Sequence, residues 1–134
     1  MVSEKDIKTA IKKKDFSKAM DNIILAVKED MKNVVYIENL AKEFKENGLT
    51  NDLIEMYKLM FYYTVNPIYF EKIGDILYEN EEYSEAVENY LNCAEGIGGY
   101  SQIYKKLANV FEKLNDNESK LACLKQVEII EGAK

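Results

Sequence analysis

Glu81 and Glu82 stand side by side, and paired carboxylates are the raw material of general acid–base chemistry. That chemistry needs an enclosed setting that pushes the two pKa values apart. Here the pair sits in a short polar stretch, "ENEEY", where nothing apolar would enclose it. Cys93 and Cys123 could supply a nucleophile or a metal ligand, but they lie thirty residues apart, which is neither a disulfide framework nor a metal-ligand spacing. Cys93 falls in an apolar helical pattern, where a buried, reduced thiol is expected. The chain contains no His, so the usual base near neutral pH and the commonest metal ligand are both missing. The glycine-rich "EGIGGY" lacks the preceding strand and the Lys-Ser/Thr of a phosphate loop. No nucleophile–base pair can be assembled, so the expectation is a protein that is not an enzyme and needs no metal or cofactor.

The elements that would position these side chains follow from a repeat. Ala10, Phe44, Leu77 and Phe111 are spaced 34, 33 and 34 residues apart. The same steps link Ile7, Ala41, Gly74 and Ala108, and also Ala19, Leu53, Ala86 and Lys120. They recur in Ile23, Tyr57, Tyr90 and Leu124, and in Ala26, Met60, Cys93 and Val127. Within a copy the apolar residues fall at three- and four-residue steps on two successive faces, as Phe70, Ile73, Gly74 and Leu77 show, followed by Val87, Tyr90, Leu91 and Ala94. Polar turns such as "KKKDF", "NGLTND" and "LNDNE" separate the faces. The pattern predicts eight helices, roughly 3–13, 16–30, 34–47, 50–64, 67–80, 83–96, 100–114 and 117–131. Ser84 is a candidate cap for the sixth, and Pro67 opens the fifth, where a missing N–H costs nothing. A small residue at Ala41, Gly74 and Ala108 lets paired helices approach closely, so a larger side chain at Gly74 should overpack its hairpin.

Length and composition set the outer bounds. The chain has 134 residues, 47% of them hydrophobic and 31% charged, which fits one ordered globular domain spanning 1–134. Its longest aliphatic run, "IILAV", cannot cross a bilayer, and the N-terminus has no apolar leader. A cytoplasmic protein without a membrane partner is expected. The net charge is −6 and all 18 basic residues are Lys. Arg supplies the planar fork that reads phosphates and base edges, so its absence argues against nucleic acid.

The columns resemble the tetratricopeptide repeat family, whose pattern runs W-x2-L-G-x2-Y, then A, F and A. In the third copy Phe70 stands for the Trp, Ile73-Gly74 for Leu-Gly and Leu77 for the Tyr. Ala86, Tyr90 and Cys93 then stand for the Ala, Phe and last Ala. The second copy has Leu53 where Ala is expected, the fourth has Lys120 there, and the first has Asp6 in the Leu position. The resemblance covers nearly the whole chain, with repeats at about 1–33, 34–66, 67–100 and 101–134. It implies an all-α fold: a right-handed superhelix (α-solenoid) of about four antiparallel helix-turn-helix repeats. It also implies a non-catalytic protein-interaction module that binds a partner protein or peptide in a concave groove lined by the first helix of each repeat.

Carried along the period, the groove positions are Lys5, Lys8, Asn39, Lys42, Lys72, Tyr78, Lys106 and Asn109. This Lys- and Asn-rich surface, with Tyr78 as an amphipathic anchor, suits a peptide bearing acidic groups. A row of Glu4, Glu38 and Glu71 runs beside it. The surface is similar to the carboxylate clamp of chaperone-binding family members at Asn39 and Lys72, but Lys8, Glu4 and Ile68 depart from that clamp. The alternative function is assembly. The last helix carries Leu121, Leu124, Val127, Ile129 and Ile130, more than one apolar stripe, and the chain stops at "EGAK" without the polar helix many family members add. Self-association as a two-fold dimer through Leu121, Leu124, Val127 and Ile130 is the corresponding expectation.

Overall fold

The computed structural model describes residues 3–132, apart from the side chain of Asn39. They form eight α-helices: α1 (Glu4–Lys12), α2 (Phe16–Glu29), α3 (Val35–Glu46), α4 (Thr50–Thr64), α5 (Ile68–Glu79), α6 (Tyr83–Gly96), α7 (Ser101–Lys113) and α8 (Asn117–Gly132). A single 3-10 turn, Met31–Val34, precedes α3 and takes Val34, which periodicity had assigned to the helix. The Asp30 carboxylate caps that turn at the Lys32 N–H.

The four hairpin turns share one backbone device. Lys14, Gly48, Glu81 and Asn115 all adopt positive φ, between 58° and 70°, at spacings of 34, 33 and 34. At each, the N–H of the positive-φ residue donates three residues back and the next N–H donates five back, for example Glu81 to Tyr78 and Glu82 to Leu77. This closes the helix in a Schellman turn. The residue after it is the N-cap of the second helix. Asp15 and Asp116 cap with their side chains, through the N–H groups of Lys18 and Ser119, whereas Leu49 and Glu82 do not. The cap position of α6 is thus Glu82, and Ser84 lies inside the first turn, contrary to the sequence expectation.

The chain divides into two compact units, residues 1–65 and 66–134. In the first, α1 packs on α2 and α3, and α4 packs on α2 and α3. Ile7, Ile23, Val27, Ile37, Leu40, Phe44, Met56 and Met60 are fully enclosed there. In the second, α6 lies between α5 and α7, and α8 lies along α7, around Ile73, Leu77, Ala86, Tyr90, Cys93, Ile103, Leu107 and Val110. Gly74 is a point of close approach: a Cβ there would come within 2.5 Å of the Tyr90 ring. Gly96 does the same job at the end of α6, where the Pro67 ring occupies the space a side chain would need.

The fourth copy behaves differently. Its columns continue into α8, but Leu124 is 38% exposed and Lys120 turns outward to pair with Glu112 at 3.1 Å. Among the described residues of α8, Cys123 alone is buried. Tyr62 in the first unit is 74% exposed, its ring edge-on to Tyr63 at 5.1 Å.

Candidate partner-binding site

Helix α5 places Glu71 and Asp75 one turn apart, with Tyr78 three residues further along the same face. Helix α7 places Lys106 and Asn109 three residues apart. Between these helices, Lys106 Nζ donates to Glu71 Oε2 at 2.9 Å and to Asp75 Oδ1 and Oδ2, both at 3.0 Å. Two tyrosines complete the network. The Tyr90 hydroxyl, on α6 opposite Gly74, donates to Asp75 Oδ1 at 2.6 Å. The Tyr100 hydroxyl, just before α7, donates to Glu71 Oε1 at 2.9 Å and reaches Oε2 at 3.1 Å.

Burial makes the network specific. The Glu71 side chain is only 7% exposed, and its carboxylate is met by two donors, the Lys106 ammonium and the Tyr100 hydroxyl. Burial works against the Lys106 charge, but its bonds to Glu71 and Asp75 outweigh that and raise its pKa. Burial, then the bond to Asp75, pushes the Tyr90 phenol upward. Burial, then the bond to Glu71, takes Tyr100 up to about 12. Both phenols are therefore fixed donors at neutral pH.

Asp75, Tyr78, Tyr90, Lys106 and Asn109 line an open cavity of about 210 Å3. The structure thus brings three of the sequence-derived positions, Tyr78, Lys106 and Asn109, to one place in the second unit. Glu71, Tyr90 and Tyr100 were not singled out as site residues. Tyr90 read as core because its ring sits in an apolar column, and its hydroxyl gave no separate signal. Lys72, the repeat equivalent of Lys106, is half-buried on α5 and does not line this cavity.

In the first unit Lys5, Lys8 and Lys42 are exposed. Lys5 and Lys8 border a depression of about 410 Å3 with Glu4, Thr9 and Lys12, and Lys8 is paired to Glu4 at 3.1 Å. The side chain of Asn39 lies outside the described residues. On α8, Leu121 and Ile129 are 56% and 54% exposed, while Val127 and Ile130 are half-buried.

Burial pushes the Cys93 thiol up to about 11 and also raises Cys123, so both are poor nucleophiles. Among the described residues no group of three or more His, Cys, Asp or Glu could hold a metal ion. No described helix is long and apolar enough to cross a membrane.

No protein-family model matches the chain, and no curated protein matches it. Solved structures do match. A crystal structure of MamA is 21% identical with a TM-score of 0.63, covering 94% of this chain and 74% of that one. MamA 41-end from Desulfovibrio magneticus RS-1 is 8% identical with a TM-score of 0.66, over 98% of this chain and 75% of that one. PcrH in complex with the chaperone binding region of PopD is 13% identical with a TM-score of 0.66, over 78% and 80%. At these identities the likeness is one of fold. The chain has the all-α, tetratricopeptide-like helical-repeat fold.

Proposed function

We propose that the chain is a non-catalytic protein-interaction module, and that a segment of a partner protein docks on the face of α5 and α7 carrying Asp75, Tyr78, Lys106 and Asn109. The observation that carries this reading is the cavity above the Lys106 network. Its floor is held by carboxylates, an ammonium and two phenols that hold one another in place, so a partner meets preorganised groups and little ordering is needed. Tyr78 supplies apolar area with a polar tip, a usual interface anchor. PcrH, of similar fold, was solved with a region of PopD, which supports protein binding as the role of such a scaffold. Lys72 in the second unit, and Lys5, Lys8, Asn39 and Lys42 in the first, are proposed as further contacts from their repeat positions.

The test is affinity capture with the wild type and with a Tyr78→Ala/Asn109→Ala variant, circular dichroism confirming equal helicity. A protein held by the wild type and released by the variant supports the reading. One held equally by both moves the working surface elsewhere. Lys106 is the wrong residue for this test, because replacing it unbalances Glu71 and Asp75 and reports on stability.

The exposed Leu121, Leu124 and Ile129 favour a second reading, an assembly subunit that associates with its own copy through α8, with Val127 and Ile130 at the margin. Sedimentation equilibrium would show a dimer that Leu121→Glu/Ile129→Glu converts to monomer. A wild type that stays monomeric at tens of micromolar removes this reading.

A further inference from the structure

We infer that the group received at the α5–α7 face is a basic side chain of the partner, seated against Asp75 and Tyr78. This rests on the docking role proposed above and adds the chemistry of what is docked. The argument is one of charge and unused valence. Glu71 and Asp75 carry two negative charges against the one positive charge of Lys106, so the network keeps one negative charge in excess. The three N–H groups of Lys106 face Glu71 Oε2, Asp75 Oδ1 and Asp75 Oδ2. None is left for an incoming carboxylate, and the phenol protons of Tyr90 and Tyr100 are donated inward to Asp75 and Glu71.

The open valence is on the acceptor side. Asp75 Oδ1 accepts from both Tyr90 and Lys106, but Oδ2 accepts from Lys106 alone, and the Asp75 side chain is 41% exposed at the cavity. An ammonium or guanidinium arriving there makes a charge-assisted hydrogen bond to Oδ2 and neutralises the excess charge. The Tyr78 ring and the exposed Asn109 amide line the same space and offer an aromatic wall and a carbonyl acceptor. A cavity of about 210 Å3 falls below the roughly 300–1,000 Å3 of small-molecule sites, so it suits one side chain of a docked segment. The lysine-rich appearance of this face in sequence therefore has the opposite meaning in the fold. Its lysine is internally neutralised, and a partner bearing acidic groups would meet Asp75.

The test uses the full chain, labelled with 15N, and three blocked peptides as probes: acetyl-Gly-Arg-Gly-amide, acetyl-Gly-Asp-Gly-amide and acetyl-Gly-Leu-Gly-amide. The arginine peptide should move the amide resonances of Asp75, Tyr78 and Asn109 in a saturable way, and the aspartate peptide should leave them in place. Asn109→Lys, a change at an exposed position, should weaken the arginine peptide by about tenfold, and Asn109→Asp should tighten it. Asp75→Asn should weaken it by about tenfold or more. A response to the aspartate or leucine peptide equal to or above that of the arginine peptide overturns the inference and leaves the docking face standing. Arginine binding indifferent to both Asn109 variants overturns it as well. No response to any peptide at these residues removes the docking face and the inference together.

Discussion

Lys106 shows how a residue acquires its role from its neighbours. By type it is one of 18 lysines, but among the described residues it alone closes the gap between Glu71 and Asp75. Lys106→Met should cost about 2–3 kcal/mol in urea denaturation, less than the roughly 3–5 of a fully enclosed pair because Lys106 is partly exposed. Adding Glu71→Gln should recover part of that loss, since it removes the carboxylate left without its cation. If the double variant is no more stable than Lys106→Met alone, the Glu71 charge is not what makes Lys106 matter. Gly74 is the apolar counterpart. Even Gly74→Ala drives a Cβ into the Tyr90 ring, which the bond to Asp75 holds from the other end. A loss of about 1–3 kcal/mol is expected, read as a lowered urea midpoint.

At the scale of the element, the Schellman turn recurs with the repeat while its residue does not. Gly48 and Asn115 suit a positive φ, whereas Lys14 and Glu81 hold the same geometry with a Cβ that disfavours it. Lys14→Gly and Glu81→Gly should therefore each raise stability by about 0.5–1 kcal/mol, net of the extra freedom glycine brings to the unfolded chain. Chemical denaturation decides it, and a loss at either site would mean that its side chain makes a stabilising contact in the turn. The capping position next door offers a related gain. Glu82 starts α6 without a side-chain cap, where Asp15 and Asp116 supply one in equivalent turns. Glu82→Asp should add about 0.5–1 kcal/mol and slow amide exchange in the first turn of α6. These turns were legible as turns from their Asn, Asp and Gly content. The strained conformation of Lys14 and Glu81 was not, because neither residue type signals positive φ.

Taken whole, the molecule has a charge pattern that ties its stability to pH on the alkaline side. With no His, few groups titrate between about pH 6 and 8, so the urea midpoint should be flat there. Above that range every resolved shift in the second unit acts in one direction. Cys93, Tyr90 and Tyr100 hold their protons more tightly when folded than their ordinary values of 9.0 and 10.0 allow, and so does Lys106 against 10.5. Each contributes stability that is fully present below its unfolded pKa and is lost as pH climbs through the folded one. Loss of lysine charge also leaves 24 Asp and Glu residues increasingly unopposed. The urea midpoint should fall steadily from about pH 9 upward, and Tyr100→Phe should make the decline between about pH 10 and 12 shallower. A midpoint that holds to pH 11 would mean that the network does not couple proton binding to folding.

Sequence by itself determined the helices, the turns between them and the apolar columns of the first three copies. Helix periodicity is local, and a column recurring at 34, 33 and 34 residues marks a face that each copy must bury. It also placed Tyr78, Lys106 and Asn109 among the binding candidates, because equivalent positions on successive first helices follow from the same period. Tertiary structure alone decided which groups those residues meet. Equivalence along the repeat made Lys72 and Lys106 look alike, yet among the described residues only Lys106 bridges Glu71 and Asp75, one helix pair away. Which long side chain meets which carboxylate, and which phenol turns its proton inward, depends on shifts of about an ångström in the spacing between helices. Periodicity carries no information at that scale, so the pairing of Lys106 with Glu71 and Asp75 came from the packing of α5, α6 and α7.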